Sequence, residues 1–341
     1  MPRATTPPAR RSGATDARPR SGARTRAIAI PNDRNDLALD FGGRLVQLTN
    51  LRKPFWPKLG LTKGDLLQYY ADLAPWLVPH LRDRAMVMKR YPNGAEGDFF
   101  YMKRTPDYHP DWIEICEIPH SAGPVNFPIV QDLPSLLWII NLGCIDLNPW
   151  YARCDDWDRP DFLHFDLDPG PGADFGKVRR VSLHLRDLLA ELGIRSWAKT
   201  SGSRGIHVYV PIVRGPLQKE VWTVAKAVAI RMEEMVPELV TAEYRKAKRP
   251  HGRVLVDYNQ NAWGRTLASI YSVRPTAVAS VSVPVRWEEI EQEIEIEDFT
   301  IFNVRERLEE IGDLWKPLLA KRDRYELGLL FEKRPPPRRK K

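Results

Sequence analysis

The sequence predicts an α+β fold in which mixed sheets are flanked by helices. Two observations lead there. Segments long enough for amphipathic helices fall at 61–81, 175–192 and 217–236, and short runs rich in β-branched and aromatic residues fall between and around them. Those strand-like runs come first in a block, at 85–90, 99–103, 112–118 and 125–130. They then recur singly at 162–168, 196–199, 206–211 and 254–258. This mixture suits a mixed sheet as scaffold.

Each element has a local reason. In 61–81, Thr62 stands at the N-cap with Asp65 three residues on, a capping-box arrangement, and Lys63 falls in the first turn. Residues 135–142 read as a buried helix. The helix at 175–192 stops at Gly193, and 196–199 and 206–211 read as two strands around a Gly-rich turn. Helices are also expected at 304–311 and 315–321.

The 341 residues are 43% hydrophobic and 28% charged, which is globular composition with enough apolar residues for a sizeable core. The expected organisation is a catalytic domain over 37–332 between two disordered basic tails, 1–36 and a Pro-rich 333–341. No apolar run approaches the roughly 20 residues a membrane span needs, and the Arg-rich start lacks a signal-peptide core. The reading is an intracellular, cytoplasmic protein, nucleoid-associated if it binds DNA, with no membrane partner. The three cysteines, Cys116, Cys144 and Cys154, show no metal-ligand spacing and are expected to be reduced. The net charge of +8 is concentrated at the ends: residues 1–36 carry +5 and 333–341 carry +6, leaving −3 for the rest. Such tails suit non-specific attraction to a polyanion.

Three motifs carry chemistry. In Phe162–Pro169, strand alternation puts His164, Asp166 and Asp168 on one face and Leu163, Phe165 and Leu167 on the core face. Two carboxylates roughly 7 Å apart along the strand can share a hard cation such as Mg²⁺ or Mn²⁺. Pro169 and Gly170 end the strand, so the pair is expected at an exposed edge. In Lys199-Thr200-Ser201-Gly202-Ser203-Arg204-Gly205-Ile206-His207, small residues expose turn N–H groups that can cradle a polyphosphate, and His207 faces the site. In Val254-Leu255-Val256-Asp257-Tyr258-Asn259-Gln260-Asn261, Asp257 ends a Val-rich strand as a candidate third metal carboxylate, and Arg265 and Arg274 follow as candidates to neutralise phosphate. Each motif alone has an ordinary structural alternative: solvated strand-end acids, a plain hairpin or a turn-forming aspartate.

Together and in this order, over roughly 37–330, they resemble the polymerase domain of bacterial DNA ligase D, in the archaeo-eukaryotic primase superfamily. The resemblance implies a primase-polymerase fold with the catalytic site on its central sheet. It implies a two-metal nucleotidyltransferase adding ribo- or deoxyribonucleotides at gaps and double-strand breaks, with two Mn²⁺ or Mg²⁺ ions on Asp166, Asp168 and Asp257. Ser201, His207 and Arg274 then resemble contacts to the incoming triphosphate, with Gln260 and Arg265 as further candidates. Lys53 and Lys63 resemble a pocket for a DNA 5′-phosphate, and Phe99 and Phe100 a pair that stacks on template bases. Many family members carry His where this chain has Asn148, and Asn cannot carry a positive charge. The chain looks like a stand-alone member similar to mycobacterial gap-filling primase-polymerases. Its implied partners are a separate DNA ligase and an end-binding repair protein, in end joining or excision repair. A metal-dependent nuclease is the first rival, disfavoured by the triphosphate-directed residues. A non-catalytic end-binding module is the second, disfavoured by the three acids.

Overall fold

The structure, a computed structural model, describes residues 28–322 and 324–328; the tail expected at 333–341 and most of that expected at 1–36 lie outside the described residues. Described chain begins before Leu37: Gln68 accepts from the Ile30 N–H and donates to the Ile28 carbonyl, so 28–30 lies along a helix.

Strands β1 (Leu37–Asp40) and β2 (Leu45–Leu48) form a hairpin, and β3 (Pro54–Trp56) pairs with β4 (Leu61–Thr62) just before helix α1 (Lys63–Leu81). The Thr62–Asp65 capping box forms as the sequence predicts, with Asp65 N–H donating to Thr62 Oγ1 and Thr62 N–H to Asp65 Oδ2. Strands β5 (Met86–Arg90) and β6 (Phe100–Met102) are followed by a hairpin of β7 (Ile115–Ile118) and β8 (Val125–Pro128). Helix α2 (Leu133–Asn141) starts two residues earlier than predicted because Asp132 caps it and Pro134 occupies its first turn. Strand β9 (Cys144–Pro149), which the sequence reading missed, completes a three-stranded antiparallel sheet in the order β6-β5-β9. A short hairpin of β10 (Ala152–Arg153) and β11 (Asp156–Pro160) then leads into β12 (Phe162–Pro169).

Helix α3 (Phe175–Glu191), β13 (Trp197–Thr200), β14 (Ile206–Pro211), α4 (Gln218–Met235), β15 (Val240–Thr241), β16 (Val254–Asp257) and β17 (Pro284–Val285) follow. Two further helices, α5 (Trp287–Glu291) and α6 (Val304–Ile311), close the chain. The helix predicted at 315–321 is instead a 3₁₀ turn, Lys316–Leu319, with Pro317 in it.

The second sheet has six strands in the order β15-β16-β12-β14-β13-β17, antiparallel except for β15 on β16. Helices α3 and α4 pack against it, and α1 packs on α2. The mixed α+β class predicted from sequence is the class observed. Leu163, Phe165 and Leu167 are fully buried, each worth about 1.5–3 kcal/mol of burial, so alternation seats β12 in one register.

Two expectations are corrected. Strand β12 is not an exposed edge: it lies between β16 and β14, and Asp166 is 6% exposed. The polar face of β12 is covered, with the His164 ring stacked 3.7 Å from Tyr151 and 5.4 Å from Tyr209. The cysteines are not all reduced thiols. Cys116 of β7 and Cys154, after β10, form a disulfide, because folding brings their Cα atoms to 5.7 Å across 38 residues of sequence. Cys144 is a free, buried thiol.

Candidate functional site

The register of the six-stranded sheet assembles the acids. Asp166 of β12 pairs with Asp257 of β16 on one side and with His207 of β14 on the other. Asp168 stands two residues along the same strand, half-buried. Burial and the nearby Asp257 charge push the Asp166 carboxyl up to about 7. The Asp166 charge, followed by burial, pushes Asp168 up to about 7 as well. His207 Nε2 lies 3.2 Å from Asp166 Oδ1. Burial, with Lys199 and Arg274 nearby, holds His207 well below its ordinary value, so the imidazole is neutral and can donate Nε2–H to the acid.

The acids suit a metal by chemistry. They are hard oxygen donors whose mutual repulsion a divalent cation relieves. As the side chains stand, no group of three or more His, Cys, Asp or Glu among the described residues converges to hold an ion. Asp257 Oδ1 accepts from the Asn259 N–H at 2.9 Å and Oδ2 from Gln260 Nε2 at 3.1 Å, while Asp166 faces His207. Gln260 is therefore placed on Asp257.

The Gly-rich turn joins β13 to β14 against these acids. Gly202 has φ +66°, and a Cβ there would meet the Arg274 side chain and the Ser282 backbone at 2.7 Å. A Cβ on Gly205 would collide with the Leu167 carbonyl. The turn thus lies hard against β12. Three of its N–H groups are not open, contrary to the sequence expectation. Those of Ser203, Arg204 and Gly205 donate to Ser201 Oγ at 3.1, 3.2 and 2.9 Å. Three donors on one oxygen polarise its O–H, leaving Ser201 as a hydroxyl donor at the head of the turn. Arg274 Nη1 donates to the Ser201 carbonyl at 2.6 Å. Ser201, His207 and Arg274 thus share one neighbourhood with Asp166. Arg265 does not join them by any side-chain hydrogen bond or ion pair among the described residues; it is exposed.

Two buried charges were missed from sequence. Lys199 is fully buried, its Nζ donating to the Ala268 carbonyl and to Ser282 Oγ, and burial holds its pKa well below the ordinary value. Its signal was its place in β13 opposite His207. Asp146 of β9 is 1% exposed, with Oδ1 3.0 Å from Arg274 Nε in a geometry that makes an ion pair but not a hydrogen bond. Alternating Ile145, Asp146, Leu147 and Asn148 was the available signal for that strand. Asn148 donates Nδ2–H to the Asp146 carbonyl at 3.0 Å.

A second cationic group lies at the start of α1. Lys63 is 5% exposed, and its Nζ donates to the Thr49 carbonyl and to Asn141 Oδ1. Burial, then the Lys53 and Arg90 charges, lower its pKa to about 8. The Lys63 N–H also donates to the Lys53 carbonyl, and Lys53 Nζ reaches Asn93 Oδ1 at 3.2 Å. Arg90, missed from sequence, completes the cluster and lies over the Phe100 ring. Phe99 and Phe100 are 51% and 45% exposed, and Tyr101 beside them 60%. Phe99 lies just before β6, so strand alternation does not bind it to the face opposite Phe100, and both rings are exposed.

The fold is that of a primase-polymerase-type nucleotidyltransferase. Residues 62–315 match the model for the LigD primase-polymerase domain, and the chain belongs to that family of DNA-directed nucleotidyltransferases. It is 33% identical over 277 residues to the multifunctional non-homologous end joining protein LigD of Mycolicibacterium smegmatis, covering 81% of this chain and 36% of the relative. It is 31% identical over 268 residues to the bifunctional LigD of Bacillus subtilis, covering 78% and 43%. The chain thus spans well under half the length of these relatives. Among solved structures, the polymerase domain of Mycobacterium tuberculosis ligase D in complex with DNA superposes with a TM-score of 0.76 at 30% identity, covering 82% of this chain and 99% of that one. Among the described residues no helix is long and apolar enough to cross a membrane.

Proposed function

We propose that the chain is a template-directed polymerase that adds ribo- or deoxyribonucleotides at DNA gaps and breaks during repair. The observation that carries the reading is the in-register pair Asp166–Asp257 with Asp168 beside it, flanked by His207 on the neighbouring strand and by a Gly-rich turn whose Ser201 carbonyl accepts from Arg274. The family supports a role in non-homologous end joining, and the solved relative in complex with DNA supports DNA as the partner.

Asp166, Asp168 and Asp257 would hold two divalent ions, Mn²⁺ or Mg²⁺, which when bound supply charge for activating a primer 3′-hydroxyl and for the departing pyrophosphate. His207 keeps Asp166 oriented by its Nε2–H, and its neutral state adds no charge that would repel a cation. Ser201 offers its polarised O–H to a phosphate oxygen. Arg274, fixed by the Ser201 carbonyl, presents its remaining N–H groups to the triphosphate. Gln260 steadies Asp257, and Arg265 stands further out as a phosphate contact. Asn148 carries no charge and spends an amide N–H on the Asp146 carbonyl, so phosphate neutralisation rests on Arg274.

Lys53 and Lys63 beside the N-terminus of α1 form the 5′-phosphate pocket, where two cations favour a dianion over an internal diester; the first-turn N–H groups of Lys63, Gly64 and Asp65 are already taken by the Lys53 and Leu51 carbonyls and by Thr62 Oγ1, so the lysines carry the site. Phe99 and Phe100 stack on template bases. A separate DNA ligase and an end-binding protein would complete repair, in the cytoplasm on nucleoid DNA. The test is a primed, gapped duplex with Mn²⁺ and nucleoside triphosphates. Extension by wild type and none by Asp168→Ala supports the reading; shortening of the primer, or a mobility shift without extension, refutes it.

A further inference from the structure

The candidate site has two sides on different sheets. The triphosphate side belongs to the turn between β13 and β14, and the aromatic side to β6 at the edge of the three-stranded sheet. One buried carboxylate touches the cations of both. Across the three-stranded sheet the register places Tyr101 opposite Lys89 and Lys89 opposite Asp146. Lys89 Nζ sits 4.0 Å from the Phe99 ring centroid, 5.4 Å from that of Tyr91 and 5.8 Å from that of Tyr101. The same ammonium is 3.8 Å from Asp146 Oδ2. On its other side Asp146 Oδ1 is 3.0 Å from Arg274 Nε, and Arg274 Nη1 holds the Ser201 carbonyl. A continuous chain therefore runs from the Phe99 ring through Lys89, Asp146 and Arg274 to Ser201.

As a purely structural group Asp146 is a poor choice. It is 1% exposed, and Oδ1 accepts no hydrogen bond. A buried carboxylate oxygen left in that state costs free energy that an apolar residue would not. Its charge, however, determines where two cations rest, one at each side of the site.

We propose that Asp146 is a positioning residue that couples the aromatic side of the site to the triphosphate side, making nucleotide binding tighter when a template base is stacked. The inference rests on the polymerase reading above. A base that stacks on Phe99 takes the ring face that Lys89 now covers. The ammonium then moves toward Asp146, the carboxylate is satisfied by Lys89, and Arg274 is released from it toward the triphosphate. Without a template base, Lys89 is shared with the ring and Asp146 retains Arg274. Asp146 touches no substrate in this scheme and acts only through the two cations.

The experiment compares the KM for a nucleoside triphosphate on a gapped, templated primer and in untemplated addition to a blunt end. It uses wild type, Asp146→Asn, Asp146→Glu, Lys89→Gln and the double variant Asp146→Asn/Lys89→Gln. Wild type is expected to show a lower KM with a template. Asp146→Asn is expected to raise the templated KM by about tenfold, the ratio that corresponds to about 1.4 kcal/mol, with a smaller change in kcat. Asp146→Glu restores most of the template effect, and Lys89→Gln adds little in the Asn background because the same linkage is already cut. In parallel, binding of a fluorescent triphosphate analogue with and without a template oligonucleotide reads the coupling without turnover. A wild type that does not extend the primer refutes the polymerase reading, while the binding arm still decides the coupling. Equal template effects in wild type and Asp146→Asn overturn the proposal. So does a parallel fall in kcat and melting temperature that Asp146→Glu does not rescue.

Discussion

Replacing Asp166 by Asn should stabilise the metal-free fold while destroying the activity proposed for it. Asp166 titrates at about 7 in the fold against an ordinary 3.8, raised by burial and by Asp257. Between pH 4 and 7 the unfolded chain gives up this proton and the fold retains it, so stability falls as pH rises through that window, and the full cost is present above 7. At about 1.4 kcal/mol per pH unit the displacement is worth about 4 kcal/mol. Burial is the first cause and the Asp257 charge the second; Asn removes both but leaves a polar amide in the same buried place, so about half, or about 2 kcal/mol, should be recovered. Asn keeps an oxygen for the His207 Nε2–H, which lies 3.2 Å away, and has nearly the same volume. Urea unfolding in EDTA at pH 5 and pH 8 checks this. The variant should exceed wild type by about 2 kcal/mol at pH 8 and by much less at pH 5, where Asp166 is already protonated. A variant less stable than wild type at pH 8, or a difference that does not change with pH, would refute the reasoning.

Asp168→Ala should abolish extension and remove the thermal stabilisation that Mn²⁺ gives wild type at pH 8, read by calorimetry with and without the ion. Arg274→Ala should raise the KM for nucleoside triphosphate about tenfold or more while changing the Kd for gapped DNA little, since a charge-assisted phosphate contact is worth about 1.5–3 kcal/mol; steady-state kinetics and anisotropy separate the two. Lys53→Ala with Lys63→Ala should erase a preference for 5′-phosphate over 5′-hydroxyl gaps. In wild type that preference should weaken from pH 7 to pH 9, because Lys63 loses its proton at about 8; paired gap-filling assays in moderate salt, where non-specific attraction is screened, check both.

Much of the scaffold was legible where the deciding interactions are local. The period-2 pattern of Phe162–Pro169 with its terminal proline marks a strand and sorts its faces, and the Thr62–Asp65 pair marks the start of α1. Alternation says which residues share a face but not what covers it. The burial of Asp166 and the stack of His164 on Tyr151 come from other parts of the chain. The same limit hid Asp146, whose partners Lys89 and Arg274 stand 57 residues before and 128 after it in sequence. It also hid the Cys116–Cys154 bond, which depends on how the β7–β8 hairpin packs near β10. The turn after Lys199 was read correctly as Gly-dependent, but three of its N–H groups go to Ser201 Oγ, a choice that composition does not reveal.

The central claim is that these acids and this turn serve a template-directed polymerase. Offering wild type a primed one-nucleotide gap with Mn²⁺ and each nucleoside triphosphate separately, for each of four templating bases, tests it most directly. Extension by one nucleotide with the complementary triphosphate is expected in every case, and none after Asp168→Ala. Extension indifferent to the templating base, shortening of the primer, or binding without extension would contradict it.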